Sequence, residues 1–181
     1  MATEPFVYEA RYSWNVRTGR LIVGALVFVV LGVVLPLSLA IRIADFVLFG
    51  GGGLFMLGVV SSRRVAFRVD SRGITLGGTP PSYRSGTRFV PWSDIEQVVL
   101  WRQTIYASSV PYVGLVRREG AARLAGRKGQ LLGKITARVA TPRRISGDTL
   151  LASRAINSWR MDNARLVASV AHFAPNVEVV T

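Results

Sequence analysis

The residues able to do chemistry are few. His172 is the only histidine and there is no cysteine. A multi-histidine centre and a thiolate site are therefore unavailable, and a metal would have to be held by oxygen ligands alone. Beside Phe173 and Pro175, at the end of an amphipathic segment, a single histidine reads as a capping or surface residue. Asp94 and Glu96 stand two apart, which on a strand would put both carboxylates on one face, the arrangement acid–base pairs use. Asp94 also belongs to Pro91-Trp92-Ser93-Asp94 and reads first as the polar residue of a corner. Gly50-Gly51-Gly52-Gly53 lacks the Lys-Ser/Thr that a phosphate-binding loop needs after its glycines. The expectation is a protein that is not an enzyme, with no cofactor and no metal.

Charge is the second source of chemistry. Lysine and arginine number 23 against ten acids, a net charge of +13, and most of the excess follows Val60. Arg117, Arg118, Arg123, Arg127, Lys128, Lys134, Arg138, Arg143 and Arg144 face one acid, Glu119. Near an anionic leaflet each basic residue contributes about 1 kcal/mol of attraction. The candidate contact set for anionic lipid or an acidic protein partner is Arg117, Arg118, Arg123, Arg127, Lys128, Lys134, Arg143 and Arg144. The plainer reading is that basic flanks serve membrane insertion and solvated arginines need no ligand. Nucleic acid is disfavoured, because no aromatic residue interleaves this run to stack on bases.

What must position these residues begins with two apolar runs. Leu21 to Ile41 carries no charge and one polar side chain, Ser38; as a helix it would be about 31 Å long, one hydrocarbon core. Ile43 to Val60 follows, with Arg42 between the runs and Asp45 near the start of the second. Together they predict a two-helix transmembrane hairpin over 21–62, with Arg42 and Asp45 at its tip. Pro36 predicts a kink late in the first helix. Ser38-Leu39-Ala40 has the small-x-small form of a signal cleavage site. The apolar run nevertheless exceeds the ~7–15 residues of a signal core, and acids precede it. The four glycines predict a bare helix surface that lets the first helix approach, through Gly24 or Gly32, or another copy of the chain.

Residues 1–20 read as a juxtamembrane segment. Phe6, Tyr8, Tyr12 and Trp14 alternate with Arg11, Arg17 and Arg20, a mixture that suits the headgroup region; a loosely ordered tail is the other reading. Arg17 and Arg20 precede the first span, and Arg63, Arg64 and Arg68 follow the second. These basic flanks predict a multi-pass protein of the cell membrane with both termini cytoplasmic.

Residues 63–181 read as one domain. Arg64 to Val69 and Ile74 to Leu76 flank the turn residues Asp70-Ser71-Arg72-Gly73, which predicts a hairpin. A loop spans 77–86. Phe89 to Trp92, Gln97 to Trp101, Tyr112 to Val116, Lys134 to Val139 and Ala155 to Trp159 read as further strands. Asp162 then caps a helix on which Leu166, Val170 and Phe173 recur at helical spacing until Pro175. The predicted fold class is a membrane α-hairpin plus an α+β domain, its strands bent into a barrel or sandwich capped by the C-terminal amphipathic helix.

Two stretches carry a resemblance. Val69-Asp70-Ser71-Arg72-Gly73-Ile74-Thr75-Leu76 and Val90-Pro91-Trp92-Ser93-Asp94-Ile95-Glu96-Gln97-Val98 resemble the bacterial pleckstrin-homology-like (PH-like) domain. The likeness is closest to the low-molecular-weight antigen subgroup, in which a two-helix membrane hairpin precedes the domain. It covers roughly residues 60 to 175, and the basic insertion over 120–148 departs from the family pattern. The resemblance implies a PH-like bent barrel; with the basic charge, the expectation is a binding or scaffolding role at the cytoplasmic face of the bilayer, contacting anionic lipid or an acidic protein partner. The alternative is a structural subunit of a larger membrane assembly with no ligand of its own.

Overall fold

The computed structural model describes residues 6–80, 82–105, 108–121, 149 and 152–180. Its first helix, α1, spans Val16–Val34 and starts at Asn15, whose side chain accepts a hydrogen bond from the Thr18 N–H at 2.8 Å. That cap satisfies one of the free donors of the first turn and starts the helix five residues before the uncharged run. Leu35 is extended, the conformation imposed on a residue before proline. Pro36 therefore ends α1 instead of kinking it.

The second helix, α2, runs from Leu39 to Ser61 and contains a π-helical turn over Phe46–Gly50. The connection is thus 35–38, and Arg42 and Asp45 lie inside α2, not at the tip. The carboxylate of Asp45 rests on Gly32, where a Cβ would overlap it; its Oδ2 is buried without a hydrogen-bond partner. The glycine run does approach the first helix, but at Ala25 and Val29 and not through Gly24 or Gly32: a Cβ on Gly53 would lie 3.4 Å from Ala25 and one on Gly50 3.8 Å from Val29. Gly24, Gly51 and Gly52 face open space. Both helices are long and apolar enough to cross a membrane, and only 11% of each is buried. They are not core helices of a folded domain, and their outward leucines, valines and phenylalanines form an apolar surface far beyond that of ordinary soluble proteins.

The N-terminal segment, expected as a juxtamembrane flank, contains a strand. Tyr8–Arg11 form strand β1, paired antiparallel with β2 (Val65–Asp70) in the register Tyr8↔Val69 to Arg11↔Val65. Tyr8, Ala10 and Tyr12 point into the core while Glu9 and Arg11 point out, a strict period of two. Tyr8 and Tyr12 are each 4% exposed, whereas Trp14 remains outward at 54%. The helical hairpin is therefore an excursion between two strands that pair with each other. Its base is tied down further: the Tyr12 N–H donates to the Arg64 carbonyl (2.9 Å) and the Ser13 N–H to the Ser158 carbonyl (3.0 Å). Asn15 Nδ2 donates to the Asn157 carbonyl at 2.9 Å, and Val59 and Val60, the last apolar residues of α2, are buried.

β2 continues into β3 (Gly73–Leu76) and β4 (Arg88–Pro91), completing a four-stranded sheet in the order β1-β2-β3-β4. The Asp70-Ser71-Arg72-Gly73 turn forms as expected, Asp70 Oδ1 accepting from the Arg72 N–H at 3.0 Å. Gly73 has φ 155° and a Cβ there would overlap the Val90 carbonyl, so this position accepts only glycine. A 3-10 turn over Trp92–Asp94 carries the chain out of this sheet, and the Trp92 indole donates to the Asp70 carbonyl at 2.9 Å. The two stretches that carry the family resemblance are thereby bonded to each other.

The second sheet has the order β7-β6-β5-β8. Its strands are β5 (Ile95–Ile105), β6 (Ser108–Arg117), β7 (Ser153–Ala155) and β8 (Glu178–Val180), the last parallel to β5. A one-turn helix, α3 (Tyr83–Gly86), occupies the loop after β3. Helix α4 (Asn163–Phe173) is capped by Asp162, which accepts from the Arg165 N–H, and its Leu166 and Val170 are fully buried. These side chains join Phe67, Val69, Ile74 and Leu76 of the first sheet and Val98, Val113 and Leu115 of the second in one core, where Trp159 stacks on Phe67. The architecture is α+β. Ala155 to Trp159 is strand only at Ala155 and then bends, because Ser158 is held by Ser13 at the hairpin base. The expected strand Lys134 to Val139 lies outside the described residues.

Candidate functional site

The structure places two residues of the predicted basic surface, and both serve the corner after β4. The Arg117 side chain is 6% exposed and pairs with Asp94 at 3.6 Å. Arg118 donates through Nε to the Ile95 carbonyl (3.1 Å) and through its backbone N–H to the Asp94 carbonyl (3.0 Å). This corner meets Asp70, the end of β2 farthest from the hairpin, about 17 Å of strand away from Val65. Neither arginine therefore stands at the hairpin base. Arg123, Arg127, Lys128, Lys134, Arg138, Arg143 and Arg144 lie outside the described residues.

Asp94 and Glu96 do not share a face, because Asp94 belongs to the 3-10 turn and Glu96 to β5. Asp94 accepts from the Ser93 hydroxyl at 3.1 Å as well as pairing with Arg117, which is the structural role of a corner residue. His172 is exposed, stacks on Phe6 with ring centroids 3.8 Å apart, and meets Phe173 edge-on. Among the described residues no three acids or histidines gather into a metal site.

The best-built polar cluster lies instead at the base of the hairpin. Arg154 on β7 donates from Nε to the Gly77 carbonyl (2.9 Å), from one terminal nitrogen to the Ser153 carbonyl (2.8 Å), and from the other to the Gly86 carbonyl. One guanidinium thus closes the loop between β3 and β4 at both ends and fastens it to the second sheet. Burial pushes the Arg154 guanidinium below its usual range; Tyr12 opposes that shift and Arg88 adds to it. The Tyr83 hydroxyl donates to the Val65 carbonyl (2.9 Å), where β2 leaves the hairpin, and the Arg64 guanidinium lies 5.0 Å over the Tyr83 ring. Thr87 bridges the loop, accepting from the Gly78 N–H and donating to the Tyr83 carbonyl.

Around this fastened loop Arg63, Arg64 and Arg84 are exposed. They form a cationic rim beside the point where α2 ends. Such a rim, held by the half-buried Arg154 and by Tyr12 and Tyr83, can attract anionic groups without being reorganised. Sequence reasoning marked Arg63 and Arg64 as a topology signal and 77–86 as a loop. It passed over Arg154, whose carbonyl partners are up to 77 residues away and leave no local pattern.

The same region sets an alkaline limit. The Tyr8 hydroxyl accepts from the Asp162 N–H at 2.8 Å. Burial raises both Tyr8 and Tyr12 above the ordinary 10.0, against smaller opposing effects of the Asp162 backbone on Tyr8 and of Thr79 on Tyr12. The folded chain keeps protons that the unfolded chain releases near pH 10. The stabilisation is therefore complete below about pH 10 and is lost as pH rises through the folded values. Thermal melts in detergent should show a level melting temperature up to about pH 9 and a decline above about pH 10. Tyr12→Phe should make that decline shallower; an unchanged slope would contradict the assignment.

Comparison with protein-family models, curated proteins and solved structures gives no match to this chain.

Proposed function

We propose that the chain is a multi-pass protein of the cell membrane with both termini cytoplasmic. Its hairpin holds a PH-like binding or scaffolding domain against the inner face of the bilayer, and the domain acts by contact, not catalysis. One observation carries this reading: β1 pairs with β2 across the base of the apolar hairpin. Both ends of the hairpin return to one sheet, so the domain and the two helix ends share a side. Arg17, Arg20, Arg63 and Arg64 cluster at that base and favour the cytoplasmic side. The rim of Arg63, Arg64 and Arg84 supports contact with anionic headgroups. The basic segment that begins at Arg117 starts from the opposite end of β2, which favours an acidic protein partner there.

Hydrogen exchange of the full-length chain in nanodiscs tests the lipid contact. Amides of 77–87 should exchange more slowly on anionic than on neutral bilayers, and the difference should shrink with salt. Arg64→Gln combined with Arg84→Gln should abolish it. Equal exchange on both bilayers would remove the lipid reading and leave the partner reading.

A further inference from the structure

On the half of the hairpin nearest the domain, α1 and α2 touch at Ala25 and Gly53 and through the stacked rings of Phe28 and Phe49, and an open cleft of about 620 Å³ runs beside that seam. Leu21, Gly24 and Phe28 line it from α1, and Phe49, Gly52 and Met56 from α2; Arg20 is the one charged residue in the lining. We propose that this cleft seats one acyl chain of an anionic phospholipid, whose headgroup phosphate is held by Arg20. The proposal rests on the hairpin crossing the bilayer and not on the headgroup contact of the domain.

Two observations point to the occupant. The volume falls within the ~300–1,000 Å³ of small-molecule sites, and apart from Arg20 the walls are apolar. Arg20 lies on the second turn of α1, about 6 Å along the axis from Val16, and is exposed; in a bilayer that position lets its guanidinium reach headgroup depth. A phosphate is its complement, and an anionic lipid brings no competing cation, whereas a zwitterionic one does.

The glycines allow a clean test. A Cβ on Gly52 or Gly51 would meet nothing within 4 Å, but only Gly52 lines the cleft. Gly52→Leu therefore fills the cleft without prising the helices apart, and Gly51→Leu is the matched control. Full-length protein is exchanged into micelles containing equal phosphatidylglycerol and phosphatidylcholine of the same chain length, and retained lipid is counted by native mass spectrometry. The expected result is one phosphatidylglycerol per chain, favoured about tenfold over phosphatidylcholine. Gly52→Leu should lose it, Gly51→Leu should keep it, and Arg20→Gln should keep a lipid but lose the preference. Equal retention of the two lipids by the unmodified chain, or equal retention by Gly51→Leu and Gly52→Leu, overturns the proposal. So does a cross-linked dimer that disappears in Gly52→Leu, which would assign the cleft to a second copy. Resistance of all variants to alkaline membrane extraction separates failure of this site from failure of the hairpin reading.

Discussion

Arg154→Met is expected to destabilise the chain by about 3 kcal/mol, because it removes the donors of three carbonyls at once. Gly77 and Gly86 bracket the loop between β3 and β4, and Ser153 lies on β7. Methionine matches the apolar stem but takes a donor from each of these acceptors, at about 1–3 kcal/mol each. Removing a half-buried cation returns part of that loss, which is why the lower end of the sum applies. In a chain of this length the melting temperature should fall by about 6–12 °C. Arg154→Lys should recover only a fraction, since an ammonium cannot serve three carbonyls on two elements from one point. The loop should also become open to proteolysis near Arg84, because Tyr83 and the Thr87 bridge remain but neither ties it to the second sheet. A melting temperature within about 2 °C of the parent would contradict the assignment of Arg154 as the loop's fastening.

The second large effect is on location. Replacing 19–58 by a short Gly-Ser linker should move the chain from the membrane fraction to solution with its sheets intact. The pairing of β1 with β2 does not depend on the excised residues. The Asn15–Thr18 cap and the buried Val59 and Val60 are retained, so the core keeps its floor. The exposed apolar surface of α1 and α2 is what leaves. Far-ultraviolet circular dichroism should lose most of its helical signal, keeping α4. Any residual attachment should be confined to anionic vesicles and removed by salt. An insoluble product, or one still held by neutral membranes, would show that the domain needs the hairpin to fold or carries a separate anchor.

Periodicity made some parts legible and not others. The Asp70-Ser71-Arg72-Gly73 turn, the Trp92–Asp94 corner and the Asp162 cap have local signatures and form where their residues place them, while the two apolar runs form helices whose break falls at 35–38 and not at Arg42. The break at Pro36 was visible but misjudged. A proline can be absorbed within a membrane helix, yet here the extended Leu35 let the chain reverse and drew Arg42 and Asp45 into α2. β1 was hidden by composition: four residues are too few to establish a period, and flanking arginines and aromatics imitated a headgroup segment. β8 and Arg154 depend on partners far along the chain, which no window of sequence reveals. The basic surface was read from charge density alone. Charge density cannot tell Arg117, committed to Asp94, from the exposed arginines of the rim.

The most direct test uses the absence of cysteine. Single cysteines are introduced at Ser38, in the connection between α1 and α2, and at Ser71, in the turn between β2 and β3; both side chains are exposed. Intact cells are then treated with a membrane-impermeant maleimide. The membrane reading predicts labelling of Ser38→Cys in intact cells and of Ser71→Cys only after permeabilisation. The reverse pattern, or labelling of both residues on one side of the membrane, would contradict it.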